Sequence, residues 1–161
     1  MQTASIRRVV TGHDEHGKAV VKIDEVCQHF KEGRPNGFVC NIWTTDTAPA
    51  DNTTDKDYGL REGKFTFIEN GSVFRILDFK PGVAYRMHRT DSVDYIVVMS
   101  GEIDMELDDG VEVHLKAGDV MVQRGTIHNW VNKGTEPCVI AFSLIGAHPV
   151  KTGGKTLDAI G

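Results

Sequence analysis

The sequence predicts an all-β fold, a double-sheet jelly-roll barrel of six to eight strands. Three observations carry that prediction. From Ser72 to Ile145, short apolar runs alternate with turn signals, the pattern of an antiparallel sandwich or barrel. Glu102–Leu107 alternates strictly, so Ile103, Met105 and Leu107 face a core while three carboxylates face water. Seventeen glycines, with few runs of helix-forming residues, point to many turns.

The elements follow in order. Ala19–Val26 and Gly37–Thr44 read as strands, or as a strand followed by a short helical turn. Thr45–Lys64 is polar, with Pro49, Gly59 and Gly63. It reads as a long loop that covers a site or a subunit interface, or equally as a solvated excursion. Asn70-Gly71 is a turn whose residues tolerate positive φ. After it come the apolar runs Ser72–Phe79, Tyr95–Met99, Glu102–Leu107, Val111–Leu115, Asp119–Gln123, His128–Asn132 and Cys138–Leu144. Asp109-Gly110 is a second strong hairpin turn, and Ser100-Gly101 and Lys133-Gly134 are weaker ones. Val111–Lys116 sets Glu112, His114 and Lys116 on a wet face. The tail from Gly146 to Gly161 has four glycines and little to bury, so it is expected to be loose or draped on a partner subunit.

At 161 residues the chain suits one domain. Residues 1–64 are expected to supply N-terminal strands and a polar loop packed on the barrel or on a partner subunit. Residues 65–145 form the barrel core, and 146–161 a flexible tail. Net charge is −5 with scattered basic residues, so no stripe of Lys and Arg is available for nucleic acid or for an anionic membrane. No apolar stretch approaches the length of a membrane span, and Met1–Val20 holds no run that would serve as a signal peptide. Cys27, Cys40 and Cys138 contain no CxxC pair and read as reduced, buried thiols of a cytoplasmic protein.

Parity then groups the residues that carry chemistry. Gly82, Ala84, Arg86, His88 and Thr90 share one face, as do Asp94, Ile96, Val98 and Ser100. His128, Trp130 and Asn132 share a third, 40 residues beyond His88. His88, Asp94 and His128 on neighbouring inward faces would make a two-histidine, one-carboxylate metal site with open positions.

The spacing resembles that of the cupins. Their first motif, G-x5-H-x-H-x3-E-x6-G, reads here Gly82-x5-His88-x-Thr90-x3-Asp94-x6-Gly101. Their second, G-x5-P-x-G-x2-H-x3-N, reads Gly118-x4-Gln123-x-Gly125-x2-His128-x3-Asn132, one residue short at its start and without the proline. The resemblance implies a double-stranded β-helix and a homodimer, with the apolar Ala19–Ile23 crossing to the partner's sheet. It also implies a divalent metal ion (Fe, Mn, Ni or Zn) on His88, Asp94 and His128. Two usual ligands are replaced, a histidine by Thr90 and a glutamate by the shorter Asp94, so a metal-free pocket is the competing expectation.

Several residues carry two readings. Arg86 is either a clamp on a substrate carboxylate or the partner of a structural acid at the barrel mouth. Trp130 is expected to wall the pocket, Thr90 to hold a water and Gln123 to touch substrate at the rim. Tyr95 reads as core or interface packing, and Phe65, Phe67 and Phe74 as core. His13, His16, His29, His114 and His148 read as surface residues. The leading functional expectation is a metal-dependent dioxygenase, decarboxylase or isomerase acting on a small organic acid or carbonyl compound. The alternatives are a metal-free lyase or dehydratase with His88 and His128 as acid and base, and a non-catalytic small-molecule binder.

Overall fold

Thirteen strands form among residues 2–161, the residues described by the computed structural model. They are β1 (Arg7–His13), β2 (Ala19–Val26), β3 (Lys31–Arg34), β4 (Gly37–Thr45), β5 (Ser72–Phe79), β6 (Ser92–Ser100) and β7 (Glu102–Glu106). There follow β8 (Glu112–Lys116), β9 (Val120–Arg124), β10 (Asn129–Val131), β11 (Cys138–Gly146), β12 (Val150–Thr152) and β13 (Lys155–Leu157). Nine of them make the barrel: a six-stranded sheet in the order β3-β4-β5-β11-β6-β9 and a three-stranded sheet β10-β7-β8. Every pairing in both is antiparallel.

The period-two pattern dictates which side chains fill the barrel. Ile96 and Val98 of β6 and Ile140, Phe142 and Leu144 of β11 share one core with Ile103 and Met105 of β7, Leu115 and Trp130. Burying each large apolar side chain contributes about 1.5–3 kcal/mol before entropy is counted. Two glycine-containing turns set the path. Asp109 and Gly110 take φ of 57° and 71° and close the β7–β8 hairpin. Gly101, at φ 74°, takes the chain from the large sheet to the small one, where a Cβ would meet the Pro137 carbonyl oxygen at 2.3 Å.

The first half differs from expectation in instructive ways. Ala19–Val26 is a strand, but it pairs with β1 in a separate two-stranded hairpin; the turn at Asp14 and Gly17 supplies an intrachain partner for the segment. β3 and β4 belong to the large sheet, β4 pairing along β5, so the barrel begins well before residue 65. The 45–64 segment is irregular apart from one 3-10 turn at Tyr58–Leu60. The glycine-rich tail holds the β12–β13 hairpin, and Ile160 then bridges to Arg89. Phe74 and Tyr95 are 42% and 53% exposed, because their parity turns them out of the sheet. No helix among the described residues is long and apolar enough to cross a membrane.

Candidate active-site pocket

One end of the barrel interior is a cavity lined by Arg34, Arg75, Arg86, His88, Asp94 and His128 together with Phe79, Trp130 and Phe142. The segment carrying Arg86 and His88 is extended, yet outside any strand ladder. Two isolated antiparallel bridges hold it: His88 and His128 each donate the backbone N–H to the other's carbonyl at 2.9 Å, and Arg89 pairs in the same way with Ile160. Asn129, almost fully buried, adds a further tie. Its Oδ1 accepts from the Arg86 backbone N–H at 3.0 Å and its Nδ2 donates to Glu106 at 2.8 Å.

The two imidazoles lie 4.2 Å apart between ring centroids. His88 Nδ1 is 3.0 Å from the Arg86 carbonyl, and His128 Nδ1 is 2.9 Å from that of Thr126. A carbonyl can only accept, so Nδ1 carries the proton on both rings and each neutral Nε2 keeps a free lone pair. Burial holds both rings in that neutral form. It lowers His88 to about 4, helped by His128 and by the charges of Arg86 and Arg34. His128 is lowered by burial first, then by the same two arginines.

Asp94 stands apart from this pair. Ser92 Oγ donates to its Oδ1 at 2.6 Å, and Thr90 Oγ1 lies 2.8 Å from Ser92 Oγ. With the Ser92 proton committed to the carboxylate, Thr90 is the donor of the second bond. Burial raises Asp94 to about 6 against the opposing pull of Ser92 and Arg75. The donor atoms of His88, Asp94 and His128 do not all come within 4.8 Å of one another, unlike a different trio in the chain. The expected three-ligand metal site is therefore not assembled: the histidines offer two donors, while the short aspartate is tied to Ser92 and Thr90 to that same serine. Asp94 and Thr90 do line the cavity.

The remaining predicted residues divide. Trp130 is a wall of the cavity, edge-on to His128 and Phe142 and stacked on Phe79. Gln123 is 3% exposed, in register with Asp94, and gives its amide nitrogen to Thr126 Oγ1. It is buried beside β6 and is absent from the cavity lining, its amide nitrogen taken by Thr126. Among the described residues Arg86 has no acidic partner; its Nη2 donates to the Gly161 carbonyl at 2.9 Å.

Sequence reasoning missed Arg34 and Arg75. Arg75 is 8% exposed with its Nε unpartnered, and Nη2 reaches only the Phe65 carbonyl. Arg34 stacks over Phe79 at 5.3 Å and leaves Nη1 buried without a partner. Burial lowers both guanidinium groups to about 10. Among the described residues neither these two nor Arg86 forms a salt bridge. A signal existed for Arg75, which shares strand parity with Val73, Leu77 and Phe79. An arginine on an apolar face has to be buried.

Residues 75–144 match the family model described as Cupin domain. A Cupin-domain-containing oxidoreductase, fogC, of Aspergillus ruber is 33% identical over 157 residues, 94% of this chain and 77% of the relative. Phomopsin biosynthesis cluster protein D of Diaporthe leptostromiformis is 37% identical over 162 residues, 95% of this chain and 85% of the relative. Among solved structures, the polyketide cyclase RemF from Streptomyces resistomycificus superimposes with a TM-score of 0.50 at 16% identity. That match covers 73% of this chain and 70% of RemF, and it speaks to the fold alone.

Proposed function

The chain belongs to the cupin family, and from that premise we propose that it is an enzyme that binds a small organic anion in its barrel and moves a proton on it. The observation that carries this reading is the pairing of two free Nε2 lone pairs with guanidinium nitrogens that lack partners. Buried cations without counter-charges are costly, and a carboxylate or enolate entering the pocket supplies the missing partner. Relatives with names drawn from biosynthesis clusters or given as oxidoreductases are consistent with a small-molecule substrate.

The acid–base step follows from the charges. Arg86 and Arg34 oppose protonation of both histidines. An anion seated on those arginines cancels that opposition, so each Nε2 becomes a better base once substrate is bound. One Nε2 takes a proton from the carbon beside a carbonyl. The electron pair left behind becomes an enolate, held by the arginines. The resulting imidazolium returns its proton to the opposite face of the same carbon or to a neighbouring atom of the enolate, completing an isomerisation. Trp130, Phe79 and Phe142 keep water from competing.

The free Nε2 pair favours a second reading. Two neutral imidazoles with Nδ1 bound to carbonyls are oriented as metal ligands are, and a divalent ion would act there as a Lewis acid. One experiment separates the two. Enolisable keto acids are incubated in D2O with EDTA, and solvent exchange at the α-carbon is followed by NMR. Exchange that persists with EDTA and is lost in His88→Gln and His128→Gln supports the proton-transfer reading. Exchange that appears only after adding metal overturns it in favour of the second.

A further inference from the structure

We propose that Cys27, His29 and Cys40 form a binding site for a zinc-class divalent ion, remote in chemistry from the pocket. The thiol sulfurs and one histidine nitrogen all lie within 4.8 Å of one another. His29 Nε2 is 3.3 Å from Cys40 Sγ and 2.7 Å from the Asn41 carbonyl oxygen. Sulfur and nitrogen ligands on a tetrahedral zinc, with bonds of about 2.3 and 2.0 Å, lie roughly 3.5 Å apart. The existing separation already approaches that figure, so little movement is needed to admit an ion.

The elements supply the ligands from two sides. Cys27 directly follows β2 and is anchored by its N–H to the Ile6 carbonyl. His29 sits two residues on, and Cys40 projects from β4 in the large sheet. Both cysteines are buried and free, at 5% and 0% exposure. Burial, then Cys27, pushes the Cys40 thiol up to about 12. His29 lines an open groove with Lys31, Asn41 and Arg61, which is an entry path from solvent.

Charge and proton balance are both satisfied. Each thiol gives up one proton on binding, so two protons are released per ion, and two thiolates cancel the charge of the ion in a buried place. The His29 proton, now directed at Asn41, moves to Nδ1 to free Nε2. The Asn41 carbonyl or a water then completes the coordination. The bound ion would join the β1–β2 hairpin to the barrel sheet, beside the ties that Arg8 makes to Glu25, Asp57 and the Ile42 carbonyl.

Cobalt(II) is the probe. Reduced protein is titrated with cobalt under argon while the absorption spectrum is recorded, and Tm is measured with and without zinc. One equivalent is expected to produce sulfur-to-cobalt charge-transfer and tetrahedral d–d bands, with Tm raised by several degrees. Cys27→Ser and Cys40→Ser lose the charge-transfer intensity, and His29→Gln shifts the d–d bands. The His88→Gln/His128→Gln double variant keeps every band, since cobalt on pocket imidazoles would show no sulfur transition. That variant keeps failure here distinct from failure of the pocket reading. The wild-type titration stands even where a variant misfolds. No sulfur band in protein whose three thiols titrate as free overturns the site, as does a Cys27–Cys40 disulfide that persists in reductant.

Discussion

His88 and His128 hold each other by main-chain bonds, 2.9 Å in both directions, while their rings stand 4.2 Å apart. Their spacing is thus a property of the backbone and needs no contact between side chains. Single His88→Gln and His128→Gln variants are expected to keep the wild-type fold by circular dichroism, with Tm close to the parent. Each should lose about 100- to 10,000-fold in proton exchange on a bound substrate. Loss of fold in either variant would show that the rings, and not the bridge, hold the wall.

Arg75 places stability and function in opposition. Its guanidinium is desolvated, with Nε unpartnered. Arg75→Met is expected to unfold at higher urea than wild type, because an apolar side chain of similar length removes that desolvation. The same variant should bind small carboxylates about 10- to 100-fold more weakly, the loss of one charge-assisted hydrogen-bonding group. Calorimetric titration and urea unfolding, run side by side, check both halves.

The pocket also sets a pH signature. His88 sits at about 4 against an ordinary 6.5, so the unfolded chain binds more protons across that window and stability climbs with pH there. Asp94 sits at about 6 against an ordinary 3.8. The folded state then binds more protons between those values, and stability falls as pH rises through them. The trends offset each other in wild type. Asp94→Asn removes the falling one, so its unfolding free energy, from urea titrations, should climb more steeply between pH 4 and 6 and exceed wild type at pH 7 by at most about 3 kcal/mol. Parallel pH curves would contradict this assignment.

Asn129 carries load out of proportion to its size. Its amide satisfies the Arg86 N–H on a segment that has no strand partner. Asn129→Ala leaves a buried donor without a partner and is expected to cost about 1–3 kcal/mol, with weaker anion binding as Arg86 shifts. Asn129→Ser, which can still accept, should recover part of both.

The outer face of the large sheet predicts self-association. Register sets Tyr95 beside Val122 and Val97 beside Val120, and these four are between 44% and 75% exposed. Two copies packed on this face would cover the row. Light scattering is expected to give twice the 17.8 kDa chain mass, and Val122→Asp to return it to the monomer.

Much of the barrel was legible because alternation has one consequence. Strict period two in Glu102–Leu107 leaves one way to bury Ile103 and Met105, and both lie in the core. Motif spacing brought His88 and His128 to one cavity. It could not reveal the pull of Ser92 on Asp94, since a bond between residues two apart on a strand leaves no trace in motif letters. Arg34 was hidden because its strand is only four residues long, too short to show a period. Cys27, His29 and Cys40 went unpaired because their proximity depends on how β2 meets β4, which no local pattern encodes.

Ile160 and Gly161 lie against the pocket wall. Ile160 exchanges main-chain bonds with Arg89, and the Gly161 carbonyl receives Arg86. A Cβ at position 161 would meet His88 Cβ at 2.7 Å. Gly161 is therefore part of the wall itself, and a Gly161→Ala methyl group would press on His88 and displace the imidazole that a ligand meets.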